Sequence, residues 1–205
     1  MRRAAAFMLA SGLAVSSVGT FAAPVAGDPD WPCRQRLVPE LTAATFWNGP
    51  PLPADLGPTP DPRIAAAIAA AASRDVPVEQ AVAALDRLAD PLKPTERAAL
   101  LPAIFTGLVA DTNRQRGDII GRIKELTRRQ RAIGDRIAEI SAELHDLAAA
   151  SEGDGARRRD EIVERRNFAI RSFEETERTM RYACEVPVEL EARLGRFARA
   201  LEAHL

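Results

Sequence analysis

The sequence predicts an all-α fold: a long antiparallel coiled-coil hairpin, with short helices and a proline-rich N-terminal segment packed at its base. Three observations carry this. Ile119, Ile123, Leu126, Gln130, Ile133, Ile137, Ile140, Leu144 and Leu147 recur at alternating spacings of four and three, which keeps one narrow stripe on one side of an under-wound helix. A short polar glycine turn, Ser151-Glu152-Gly153-Asp154-Gly155, follows, and a second helical pattern begins at once. Aromatic residues make up only 5% of an alanine-rich chain, which favours close-packed helices over a large β core.

Residues 1–22 read as a secretory signal peptide. Arg2 and Arg3 form a positive start, Ala4 to Phe21 carries no charge, and the small residues Thr20 and Ala22 allow cleavage after Ala22. The apolar stretch holds glycines and serines and makes a poor permanent span. The expected location is therefore the periplasm, with no stable membrane insertion after cleavage. The remaining chain, 23–205, suits a single helical domain.

The segment 23–60 is proline-rich and is expected to lie extended along helices. Within it, Glu40 to Trp47 is expected to form a short helix, ended by Asn48-Gly49-Pro50-Pro51. Short helices occupy 61–94. Asp61 caps the first, with Pro62 in its first turn and Ile64 and Ile68 on its apolar face. Pro77 opens the second, with Val78, Val82 and Leu85 inward. The hairpin spans 95–184. Thr95 is the expected cap of its first arm, and Pro102 is expected to kink that arm or reset its start. From Ala103 to Ala149 the pattern runs unbroken for roughly 70 Å, so much of the hairpin projects.

The return arm, Arg157 to Cys184, carries a looser stripe of Ile162, Arg166, Ala169, Phe173, Thr176 and Met180. Folding about Gly153 places Phe173 beside Ile133, Ala169 beside Ile137 and Ile162 beside Leu144, pairs whose numbers all add to 306. Pro187 is expected to interrupt the helix, leaving a separate C-terminal helix at 187–205 with Leu190, Leu194, Phe197 and Leu201 inward.

Two cysteines are present, Cys33 and Cys184. An even count behind a secretory leader predicts a disulfide between them; two buried free thiols are the alternative. The basic run Arg114, Arg116, Arg122, Lys124, Arg128, Arg129 and Arg131 lies opposite Glu174, Glu175, Glu177, Glu185 and Glu189 in this register. Asp111 to Glu185 holds 16 basic and 16 acidic residues. That balance predicts charge pairing between arms and excludes a nucleic-acid site. Removing the leader takes Arg2 and Arg3 from 28 basic residues and leaves the 29 acidic ones, a balance of −3.

Leu126-Thr127-Arg128-Arg129-Gln130 resembles the Leu-Thr-x-x-Gln signature of periplasmic stress proteins of the Spy/CpxP type. That resemblance implies an all-helical periplasmic chaperone or stress sensor. Asp30-Trp31-Pro32-Cys33, Gln35-Arg36 and Val38-Pro39-Glu40-Leu41 resemble the opening of uncharacterised secreted bacterial envelope proteins. Tyr182-Ala183-Cys184-Glu185-Val186-Pro187 is similar to their C-terminal part. This second resemblance implies an envelope location and brings no active-site residues.

No nucleophile–base arrangement, phosphate-binding glycine loop, haem-attachment motif or zinc spacing is legible, and the two histidines, His145 and His204, stand far apart. The expectation is a protein that is not an enzyme, with no catalytic, cofactor-binding or metal residues and no cofactor. Its expected action is protein–protein interaction, with an envelope protein as partner; a homodimer of hairpins is the other contact open to it. The tryptophans Trp31 and Trp47 are expected first to plug the hairpin base; the candidate contact residues are the same Trp31 and Trp47 in the aromatic segment, or Glu152 and Asp154 at the hairpin tip, Ala148 to Ala156. Many charged residues on solvated helix faces account for the rest of the composition.

Overall fold

The computed structural model describes residues 27–57, 61–147 and 153–205. The expected signal peptide, and Ala148 to Glu152 of the hairpin tip, lie outside the described residues. The order of elements is a 3₁₀ turn at Ala43–Thr45, then α1 (Pro62–Ala72), α2 (Val78–Ala89), α3 (Pro94–Asp146) and α4 (Asp154–Glu202). No strand occurs among the described residues. The expected all-α hairpin is present: α3 packs against α4 along their length, while α1 packs on α3 and on α2, and α2 packs on α4.

α1 starts where its chemistry dictates. The Asp61 carboxylate accepts from the Arg63 backbone N–H at 2.8 Å, and Pro62 supplies a first-turn residue with no N–H to satisfy. α3 begins one residue before the expected cap Thr95. Pro94 takes the first helical position, and the Glu96 carboxylate accepts from the Lys93 N–H at 3.1 Å. Only three residues of the expected helix at Glu40 to Trp47 are helical, as the 3₁₀ turn. Its start is diverted because the Asn113 side chain takes both backbone groups of Leu41: Leu41 N–H donates to Oδ1 at 2.8 Å and Nδ2 donates to Leu41 O at 3.0 Å.

Neither interior proline breaks its helix. α3 runs through Pro102 and α4 through Pro187, so the expected separate C-terminal helix at 187–205 is the end of α4. A proline removes one helical N–H and pushes back the turn before it. At Pro187 that turn is held from outside. Gln35 Nε2 donates to Cys184 O at 2.5 Å, and Arg116 Nη1 donates to Pro187 O at 2.7 Å. At Pro102 the surrounding apolar core fixes the chain on all sides.

The core is concentrated at the base. Leu101, Ile104, Phe105 and Leu108 of α3 meet Leu194, Phe197 and Leu201 of α4, Ile64 and Ala67 of α1, and Ala81 and Leu85 of α2. Each large side chain so buried contributes roughly 1.5–3 kcal/mol. Alanines and one glycine let the helices approach. A Cβ on Gly107 would stand 2.1 Å from Ile68 Cδ1, so the Ile68 side chain packs into the space glycine leaves and would have to shift for any larger residue. Beyond the base the seam thins to Ile140, Ile162 and Ala169, flanked by Ile137, Leu144 and Leu147. α3 has 53 residues, roughly 80 Å of helix.

The α4 stripe is as expected: Ile162, Ala169, Thr176 and Met180 are buried, and Arg166 and Phe173 half-buried. The α3 stripe is rotated near the base. Ile119 and Leu126 are half-buried, while Ile120 and Thr127 are buried in their place, with Thr112, Arg116 and Ile123. From 112 the buried positions advance by four, four and three, an eleven-residue step close to the natural helix period; a strict seven-residue repeat would instead require supercoiling. The cross-arm register lies within one residue of expectation. Thr127 meets Met180, with Oγ1 and Sδ 3.3 Å apart, and Phe173 lies beside Gly134. Gly153, at φ +65°, takes the left-handed conformation at the start of α4.

The thin seam makes a direct prediction. Ile162 is 1% exposed and its neighbour Glu161 is exposed. Ile162→Asp buries an unpaired carboxylate and should cost about 3 kcal/mol or more, whereas Glu161→Ala should change stability by about 0.5 kcal/mol or less. Urea unfolding followed by circular dichroism measures both; equal midpoints would contradict the pairing of the arms.

Candidate protein-binding surface

The hairpin has two unlike faces. One is covered by the N-terminal segment 28–41, which lies along it as a strap. A disulfide joins Cys33 on the strap to Cys184 on α4, with Cα atoms 5.5 Å apart. It closes a loop with a sequence separation of 151, for which the chain-entropy argument gives up to roughly 4–5 kcal/mol. Trp31 Nε1 donates to Gln35 O at 2.8 Å, folding the strap around the cysteine.

Ion pairs fix the strap's start. Asp28 meets Lys124 at 2.7 Å; Asp30 meets Arg128 at 2.8 Å and also Arg131. Hydrogen bonds from Arg128 and Arg131 hold the Asp30 carboxyl below its ordinary 3.8, and that from Lys124 does the same for Asp28. The basic run thus meets the strap. Among the described residues none of Glu174, Glu175, Glu177, Glu185 and Glu189 pairs with that run: Asp28 and Asp30 take Lys124, Arg128 and Arg131, Asp111 takes Arg114, and it is Glu191 that lies near Arg116. Cross-arm pairs form nearer the tip, where Glu143 meets Arg165 at 2.9 Å and Arg158 at 3.3 Å.

Arg116 closes the strap's other end. Its side chain is 4% exposed; Nη2 donates to Val38 O at 2.7 Å while Nη1 holds Pro187 O. Burial pushes this guanidinium below its ordinary pKa, opposed by the Glu191 carboxylate 3.9 Å away. An arginine stays charged even so. It acts here as a structural clamp between strap, α3 and α4.

No segment among the described residues covers the opposite face. There a groove of about 780 Å³ runs between the arms, walled by Arg129, Ile133 and Arg136 of α3 and by Arg165, Phe168 and Arg171 of α4. Ala132, Ile140, Ala169, Ser172 and the Glu164 carboxylate also line it. It continues toward the base past Leu126, Glu175 and Thr179. Phe168 is 66% exposed, an aromatic ring left in water among arginines. Arg136 is paired with Glu139 and Arg165 with Glu143, while Arg129 and Arg171 form no ion pair among the described residues.

The expected contact residues separate. Trp31 is half-buried within the strap. Trp47 is 8% exposed, stacks on Phe105 with centroids 4.9 Å apart and donates from Nε1 to Pro50 O at 2.7 Å, so it is a core residue. Its ring is consumed by the base, the plugging role expected of the tryptophans, which leaves little of it for a partner. Asp154 is exposed and paired with Arg157; Glu152 lies outside the described residues. Sequence reasoning missed Phe168. The signal was present: within the stripe 162, 166, 169 and 173, a phenylalanine at 168 falls on the outward side.

Among the described residues, no group of His, Cys, Asp and Glu could hold a metal ion, and no helix is long and apolar enough to cross a membrane. His204 serves structure, with Nε2 3.0 Å from Asp86 Oδ1. Comparison with protein-family models, with curated proteins and with solved structures finds no match for the chain.

Two expectations follow for the strap. Protein purified without reductant should contain no alkylatable thiol and should yield a peptide pair linking Cys33 to Cys184; two free thiols by intact mass would contradict the tie. The second concerns pH. A carboxylate with a depressed folded pKa contributes stability above its unfolded value and loses it as pH falls through the folded one. Asp30→Asn should therefore lower the thermal midpoint at neutral pH, and the gap from wild type should close as pH falls below 3.8. A gap that persists in acid would mean that the ion pairs with Arg128 and Arg131 do not hold the strap.

Proposed function

We propose that this is a non-catalytic protein of the cell envelope that presents its helical hairpin to another protein. The observation that carries the reading is the face around Phe168, whose ring is 66% exposed in a groove rimmed by arginines; Tyr182 and Val188, also exposed on α4, lie nearer the base and outside that groove. A broad apolar surface would suit many unfolded clients, whereas a confined, rimmed patch suits a dedicated partner. Periplasmic location is supported by the leader-like residues 1–22 and by the disulfide, since such bonds persist in oxidising compartments. Coiled-coil packing of the arms is supported by the three- and four-residue spacing of the α4 stripe.

A stress chaperone or sensor of the Spy/CpxP type is the second reading. What favours it is that Leu126, the first residue of the Leu-Thr-x-x-Gln motif, lines the lower part of the same groove.

Matched truncations test the lead reading. Removing one heptad from each arm next to the tip leaves Phe168 in place; removing three from each arm deletes it. Heptad steps keep the seam in phase, so loss reports on the surface rather than on misfolding. The short truncation should complement a deletion strain, and the long one should not, with both keeping the base folded by circular dichroism. If the long truncation still complements, the hairpin is not the contact surface.

A further inference from the structure

We infer that the Phe168 groove is a docking site for an acidic amphipathic helix of about four turns. The inference rests on the hairpin-binding reading above and names its partner's chemistry.

The first argument is charge. Four arginines line the groove against one carboxylate, Glu164: Arg129 and Arg171 flank Phe168 with no ion pair among the described residues, while Arg136 and Arg165 are already paired with Glu139 and Glu143. On the other face the same hairpin shows what such a rim accepts. There Lys124, Arg128 and Arg131 are met by Asp28 and Asp30, carried on a segment whose aromatic residue, Trp31, tucks in beside them. The covered face is satisfied from within the chain; the other face has the same kind of basic residues, and no described segment lies on it.

The second argument is shape. The groove runs from Leu126 to Ile140, about 21 Å along α3 at 1.5 Å per residue. That length matches about four turns of helix. Ala132, Ala169 and Ser172 are small, which lets a third helix settle between two antiparallel ones at ordinary packing distance. Phe168 and Ile133 then meet its apolar stripe, and its flanking carboxylates reach Arg129 and Arg171. A second copy of this face would bring arginine against arginine, which disfavours self-association through it.

The test uses the full chain and a fluorescein-labelled 16-residue peptide with leucines at i, i+3, i+4 and i+7 spacing and glutamates elsewhere. Its control replaces every glutamate with lysine. Fluorescence anisotropy should show the acidic peptide binding at least ten-fold more tightly than the basic one, with affinity falling as salt rises. Phe168→Ser and the double variant R129E/R171E should each weaken binding ten-fold or more. Arg159→Ala, on α4 outside the groove, should not. Because Phe168 is largely exposed, unchanged helicity and thermal midpoint should accompany the loss. Equal binding of both peptides would overturn the inference in favour of unselective apolar capture. So would no binding of the acidic peptide, binding indifferent to both groove variants, or sedimentation showing a dimer that Phe168→Ser dissolves. If the acidic peptide fails while the three-heptad truncation still loses function in cells, the acidic helix is wrong and the hairpin remains the contact surface.

Discussion

The burial of one stripe of α4 against one stripe of α3 governs this molecule. Helices of 53 and 49 residues, both polar on average, have little else to hold them in place along their outer halves. At the base, four helices share a core with large side chains such as Phe105 and Phe197. Farther out, past Ile120, Ile123 and Met180, the described seam narrows to Ile140, Ile162, Ala169 and their flanking residues. Stability is therefore graded along the hairpin. The base sets the global stability, and the outer arms depend on a few aliphatic contacts supplemented by exposed pairs such as Glu143 with Arg165, each worth little by itself.

Three arginines do what no lysine could. Arg116 joins Val38 O and Pro187 O; Arg193 joins Ala71 O, Ser73 O and Val76 O; Arg97 joins Asp90 O, Leu92 O and His204 O. Apart from Pro187 O, which lies inside α4, these are backbone carbonyls at helix ends and in loops, where secondary structure leaves acceptors unpaired. Arg193, together with Gln115 on Ala72 O, closes the C-terminal end of α1, where a helix otherwise leaves orphan acceptors. A planar fork with five donors holds several such acceptors at once; an ammonium is a point charge. The chain has only Lys93 and Lys124 among its 28 basic residues, and at these three places the preference has a structural reason.

Much of the architecture was legible because it follows from periodicity and punctuation. The α4 stripe, the cap at Asp61, the turn at Gly153 and the cross-arm register are all local patterns. What escaped was non-local. Pro102 and Pro187 read as breaks, since the helix-breaking cost of proline is local while the groups that offset it, Gln35 and Arg116, come from distant segments. The helix expected from Glu40 failed because Asn113, 72 residues beyond Leu41, claims its backbone. The role of Trp47 as a plug of the base was legible, though its partner Phe105 was not. The pairing of the basic run with Asp28 and Asp30 is non-local too: the register pairs arm with arm, and says nothing of a third segment laid across both.

That third segment gives the hairpin its one-sidedness. Without the strap, Lys124, Arg128 and Arg131 on one face and Arg129 and Arg171 on the other would form a belt attractive to acidic surfaces in any orientation. Asp28 and Asp30 neutralise one side, and the disulfide keeps them there even when salt screens the exposed pairs. In the proposed reading, selectivity comes as much from this covered face as from the bare one, because a partner is limited to a single approach and orientation. The Cys33–Cys184 bond then contributes to recognition as well as to stability. It lies in the strap, away from the groove, and it determines which face of the hairpin a partner can meet.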